Sequence, residues 1–75
     1  MVTEFGNSPL YTKVEIALAA DIATAVLPCG SQLPSENSLV ERFEVSRTTV
    51  RKAIENLVAR GLVEIRRGKG TFVTE

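Results

Sequence analysis

The sequence contains no histidine and only one cysteine, Cys29. A single thiol cannot close an intrachain disulfide, and a Cys/His zinc site lacks its ligands. Without an imidazole, a metal-ligand cluster or a nucleophile beside a base, the chain offers no catalytic constellation, so neither an enzyme nor a cofactor-binding protein is expected. Nothing basic lies beside Cys29 in sequence to activate its thiol, and a buried or idle cysteine is the expectation. Apolar runs long enough to cross a bilayer are missing, as is the basic flank and apolar core of a secretion signal. These absences fit a cytoplasmic protein without a membrane partner.

Net charge is also missing, since nine basic residues balance nine acidic ones. The balance hides a division. Residues 1–45 carry two basic residues, Lys13 and Arg42, against six acidic ones, a net −4. Residues 46–75 carry seven basic residues against three acidic ones, a net +4. A local basic surface attracts a polyanion whatever the total charge. From charge alone, a merely solvated face fits equally well.

The length, 75 residues, suffices for one small domain with one core. Residues 1–8 lack periodicity and read as a flexible arm or an expression remnant, leaving 9–75 as the domain. From Leu10 to Val26, Leu10, Val14, Ala17, Leu18, Ile22 and Val26 recur at helical spacing, with Ser8 as a cap and Pro9 in the first turn. Pro28, Gly30 and Pro34 end that helix, and Gln32-Leu33 suits a short extended pairing. Ser35 can cap a second helix, with Glu36 complementing its dipole and Leu39, Val40 and Phe43 facing inward.

Glu44-Val45 is a tight link to Ser46, which caps a third helix over residues 46–60. Val50, Ala53, Ile54, Leu57 and Val58 form its apolar back, Gly61 its stop, and Arg47, Thr48, Arg51 and Lys52 a polar front near its start. The pattern then alternates: Val63 and Ile65 oppose Glu64 and Arg66, Arg67-Gly68-Lys69-Gly70 forms a turn, and Thr71-Phe72-Val73 returns as a strand. Such a hairpin must pack on the helices, through Val63 or Ile65 and Phe72. The predicted fold is α+β, a winged helix-turn-helix of three helices followed by a two-stranded β-hairpin wing.

Four blocks, Leu33-Pro34-Ser35-Glu36, Val45-Ser46-Arg47-Thr48-Thr49-Val50-Arg51, Gly61-Leu62-Val63 and Gly68-Lys69-Gly70-Thr71-Phe72-Val73, closely resemble the DNA-binding domain of the GntR family of bacterial transcriptional regulators. Thr48-Thr49-Val50-Arg51 together with the last block looks more like the HutC branch than the FadR branch.

The resemblance implies sequence-specific binding of double-stranded operator DNA in a metabolite-responsive regulator. Ser46, Arg47, Thr48, Thr49 and Arg51 match the family's contacts from the recognition helix in the major groove. Arg67, Gly68 and Lys69, within the wing 66–71, match those at the minor groove, and Ser35 matches a position that caps and faces the DNA backbone. The chemistry agrees, since guanidinium groups suit guanine acceptors while hydroxyls and amides suit phosphates.

Two positions depart from the pattern. Asn37 stands where many relatives have an arginine, so it is expected to contact adenine or a phosphate instead. Glu44 stands where glycine is common, which predicts a slightly different turn.

The resemblance further implies a homodimer on palindromic sites in the full-length regulator, with a small-molecule effector bound through a C-terminal domain that this chain is expected to lack. The present chain is therefore expected to be a monomer or weak dimer. The competing reading is a winged helix used as a protein–protein interaction module, for which the clustered arginines have little use.

Overall fold

The computed structural model describes residues 10–74, so the expectations for residues 1–8, Pro9 and Glu75 lie outside the described residues. Three helices, α1 (Leu10–Ala23), α2 (Glu36–Phe43) and α3 (Arg47–Ala59), precede two strands, β1 (Val63–Arg66) and β2 (Gly70–Val73). The strands pair antiparallel, with Val63 opposite Val73 and Arg66 opposite Gly70. This is the predicted winged helix.

Helix α1 follows its apolar spacing from Val14 to Ile22, with Ala17 and Ile22 partly buried against the core. Val14 and Leu18 are fully buried, whereas Leu10 is 57 % and Val26 67 % exposed, against expectation. The helix stops three residues early because Ala25 takes a left-handed backbone (φ 63°) and the Leu27 amide turns back to the Asp21 carbonyl. Val26 is thereby carried off the buried stripe.

The ends of α2 and α3 follow one pattern. Ser35 and Ser46 have extended backbones, and their hydroxyls accept from the Ser38 and Thr49 amides, each at 3.1 Å. At the C-terminus of α3 the Gly61 amide donates to the Val58 carbonyl and the Leu62 amide to the Leu57 carbonyl, with Gly61 left-handed at φ 77°. That closure satisfies two carbonyls that would otherwise lack partners. Helix α2 closes similarly, its Val40 carbonyl accepting from Glu44 and Val45. Glu44 itself sits at φ 56°. The different turn expected there is not found: Glu44 adopts the left-handed conformation natural to glycine.

The core joins all the elements through Val14, Leu18, Leu33, Leu39, Phe43, Val50, Ala53, Ile54, Leu57, Val63 and Val73. Val58, counted with the apolar back of α3, is instead 38 % exposed. On the hairpin the inward residues are Val63 and Val73, correcting the assignment of Phe72. Phe72 faces Glu64 across the ladder, so it shares the outer face with Glu64 and Arg66. The Arg66 guanidinium lies 4.6 Å from the Phe72 ring centre. Ile65 shares the inward face but is 61 % exposed.

The extended pairing expected at Gln32-Leu33 is present. Gln32 bridges Phe72, the Leu33 amide donates to the Thr71 carbonyl (2.8 Å), and Ser31 and Gly30 exchange bonds with Val73. Strand β2 thus lies between β1 and this short stretch. Cys29, just before it, is exposed rather than buried. Among the described residues no helix is long and apolar enough to cross a membrane, and no cluster suited to a metal ion occurs.

Candidate nucleic-acid interface

Helix α3 presents its first turn to solvent because its buried stripe begins only at Val50. Arg47, Thr48, Arg51 and Lys52 are exposed. Ser46 and Thr49 are occupied locally: besides accepting the Thr49 amide, the Ser46 hydroxyl donates to Thr49 Oγ1 (3.0 Å). Ser35 donates likewise to the Ser38 hydroxyl (3.1 Å). These serines hold the helix starts in shape, and their remaining acceptor capacity faces outward.

Glu36 connects the two helices. One carboxylate oxygen accepts from Arg47 Nη1 (2.9 Å) and the other from Arg51 Nε (3.0 Å). Arg47 Nη2 donates to the Asn37 side-chain oxygen. The hydrogen bonds from Arg51 and then Arg47 hold the Glu36 carboxyl below the usual glutamate range, and Glu36 in turn raises the Arg51 pKa. These bonds direct both arginines toward the start of α2.

The wing tip owes its shape to glycine. Gly68 has φ 77° and Gly70 φ 131°, values that side-chain-bearing residues rarely adopt. The Lys69 amide returns to the Arg66 carbonyl (2.9 Å), and Gln32 Nε2 donates to the Lys69 carbonyl (2.9 Å). Arg66 is tied to Glu64 and stacked on Phe72, whereas no carboxylate among the described residues pairs with Arg67 or Lys69.

Between α3, the start of α2 and the wing lies a cleft of about 740 Å³. Ser35, Asn37, Arg47, Arg51, Arg67, Gly68 and Lys69, all singled out from sequence, line it. Ser46, Thr48 and Thr49 do not; they stand at the start of α3, outside the cleft. Several lining residues were not foreseen as parts of the site, among them Glu36, Gln32 and a second acid, Glu55. Glu36 had a sufficient local role in the helix dipole, and no spacing rule links it to partners 11 and 15 residues away. Gln32 had a backbone signal, the extended pairing, but none for its side chain.

The arrangement has two cationic walls separated by a trough with an apolar floor that includes Leu33 and Ile54. Residues 10–73 match the family described as "Bacterial regulatory proteins, gntR family". The chain belongs to the GntR family. Among its GntR-type relatives, the "Probable fructoselysine utilization operon transcriptional repressor" of Escherichia coli (strain K12) is 46% identical over 69 residues, covering 92% of this chain and 28% of the relative. The chain thus spans less than a third of that relative's length.

Among solved structures, the AraR DNA-binding domain in complex with operator ORE1 superposes with a TM-score of 0.86 at 39% identity, covering 89% of this chain and 82% of that one. A GntR family transcriptional regulator from Listeria monocytogenes gives a TM-score of 0.86 at 28% identity, covering 92% of this chain and 60% of that one. The fold is that of the winged-helix DNA-binding domains of GntR regulators.

Proposed function

We propose that this chain binds double-stranded operator DNA as the reading domain of a bacterial transcriptional regulator. The N-terminal part of α3 enters the major groove, the wing tip meets the adjacent minor groove, and the intervening sugar-phosphate strand runs along the cleft. The observation that carries this reading is the pairing of Arg47 and Arg51 on one wall with Arg67 and Lys69 on the other. Guanidinium donors at a helix start suit guanine acceptors, and flexible cations on a glycine turn suit the negative potential of a narrow groove. The likeness to the operator-bound AraR domain supports it.

Ser46, Thr48, Thr49 and Ser35 serve phosphates in this arrangement, with backbone amides at the helix starts beside them. Asn37 keeps its amide hydrogens for DNA while its oxygen holds Arg47. Residues 9–75 act as the DNA-reading unit, nearest the HutC branch, in a cytoplasmic regulator whose effector-binding part is a separate domain. A homodimer of such a regulator would read a palindrome, because two-fold protein symmetry mirrors two-fold DNA symmetry. The present chain alone is a monomer or weak dimer of lower affinity.

The test is selection of duplexes from a random library by this chain, followed by a titration of affinity against salt. An enriched motif is expected, with log affinity falling by about 0.9 per log unit of salt for each phosphate neutralised. No enriched motif together with a flat salt response overturns the proposal and points to a protein partner.

A further inference from the structure

The observation left over from the interface is that two carboxylates, Glu36 and Glu55, line a cleft rich in cations, and of the two only Glu36 is paired with arginines among the described residues. Glu36 lies on the cleft wall, and its side chain is 34 % exposed. An uncompensated acid there would repel a phosphate strand. It is not uncompensated, because each of its oxygens is engaged by a different arginine. The geometry at Arg51 is informative: Nε is held by Glu36, and both Nη groups have no carboxylate partner among the described residues.

We propose that Glu36 is a positioning residue for base reading, holding Arg51 by its Nε so that the two Nη groups are left for the major groove before DNA arrives, while Glu36 and Asn37 together fix Arg47 through both of its Nη groups. This rests on the DNA-binding reading above. A long arginine free to rotate loses several rotamers when it docks on a base, and a side chain already anchored loses fewer. An anchored fork also fixes the direction of its donors, which matters for two-acceptor recognition of guanine and little for a phosphate. The negative charge works in the opposite sense for non-specific affinity, because it reduces the cationic field of the cleft. Glu36 therefore trades general attraction for discrimination.

The two effects separate in one experiment. Duplexes are enriched from a random library by the unaltered chain, and affinities for the best duplex and for a scrambled duplex of equal composition are measured at one salt concentration. The chain is compared with Glu36→Ala and Glu36→Gln, each checked by circular dichroism and urea unfolding. Glu36→Ala is expected to bind the enriched duplex about tenfold more weakly. It should bind the scrambled duplex as tightly or more tightly, so that the ratio collapses. Glu36→Gln keeps one oxygen acceptor and is expected to fall between the two.

A role in folding alone would lower both affinities in parallel and leave the ratio unchanged, which overturns the proposal. A parallel rise in both, the signature of a bare counter-charge, overturns it too. If the unaltered chain enriches no motif, the operator-binding reading itself fails. If it enriches one and Glu36→Ala keeps the ratio, only the positioning role fails.

Discussion

Glu44 holds a left-handed backbone conformation with a side chain attached, at the turn between the two helices of the helix-turn-helix. Such a conformation costs an ordinary residue about 1 kcal/mol relative to glycine. Glu44→Gly is accordingly expected to stabilise the domain by about 1 kcal/mol, a rise of about 4–8 °C in Tm for a domain of this size. Thermal unfolding followed by circular dichroism checks it, and a fall in Tm would show that the Glu44 side chain contributes more than its backbone costs. Gly70 presents the reverse case. Its φ of 131° is poorly tolerated by any side chain, and a Cβ there would meet the Gln32 side chain. Gly70→Ala should cost about 1–3 kcal/mol, while Gly68→Ala, with open space around it, should cost only about 1 kcal/mol. Urea titrations of the two variants should rank them in that order.

Among the elements, α2, α3 and the hairpin were legible in the sequence because each carries its own boundary signals: a serine cap, a glycine stop, a change of period from helical to alternating. Helix α1 was less so. Its apolar residues continue past the point where Ala25 turns the backbone, and nothing local in Ala25 announces a left-handed residue. The hairpin's inward face was assigned through Phe72 because aromatic residues are usually core, but the register with β1 places Val73 inside and leaves Phe72 to the Arg66 guanidinium. Register is a property of two strands and their turn together, which neither strand's composition reveals.

The candidate site was legible to the same degree, as residue types on each element. The contacts among elements, above all Glu36 to Arg47 and Arg51, are tertiary and had no sequence signal. One further tie of this kind joins α1 to α3, where Glu15 accepts from Asn56 (3.0 Å) and Arg60 (2.8 Å). Glu15→Gln, measured by urea unfolding, should lose about 1 kcal/mol. No change would mean that the pair is solvated away.

For the whole molecule, the core is small enough that single truncations matter. Leu18 and Leu57 are fully buried at the contact between α1 and α3. Replacing either with alanine should cost about 2–5 kcal/mol, much of what a domain this size has. Loss of a cooperative thermal transition is the expected readout.

Acid should act through two groups. The Asn56 and Arg60 hydrogen bonds lower the Glu15 pKa, as those from Arg51 and Arg47 lower that of Glu36. A carboxyl with a lower pKa in the folded state takes up its proton more readily when unfolded. Its contribution to stability is therefore complete above the ordinary glutamate range and is lost as pH falls through the folded value. Stability measured by urea from pH 7 to pH 3 should fall on the acidic side, and less steeply for the doubly substituted Glu15→Gln, Glu36→Gln chain. An equally steep fall in that variant would assign the acid sensitivity to other carboxyls.

The short stretch at residues 31–33 has a mechanical consequence. Hydrogen-bonded to β2 on one side and leading through Pro34 directly into the cap of α2 on the other, it makes the wing and the helix-turn-helix one rigid frame. On the proposed docking the molecule is a caliper, whose two jaws would land on one stretch of DNA at a set separation. Inserting a single base pair between the major-groove bases and the minor-groove step both rotates and displaces the second jaw's target. The wing would have to let go before it could follow.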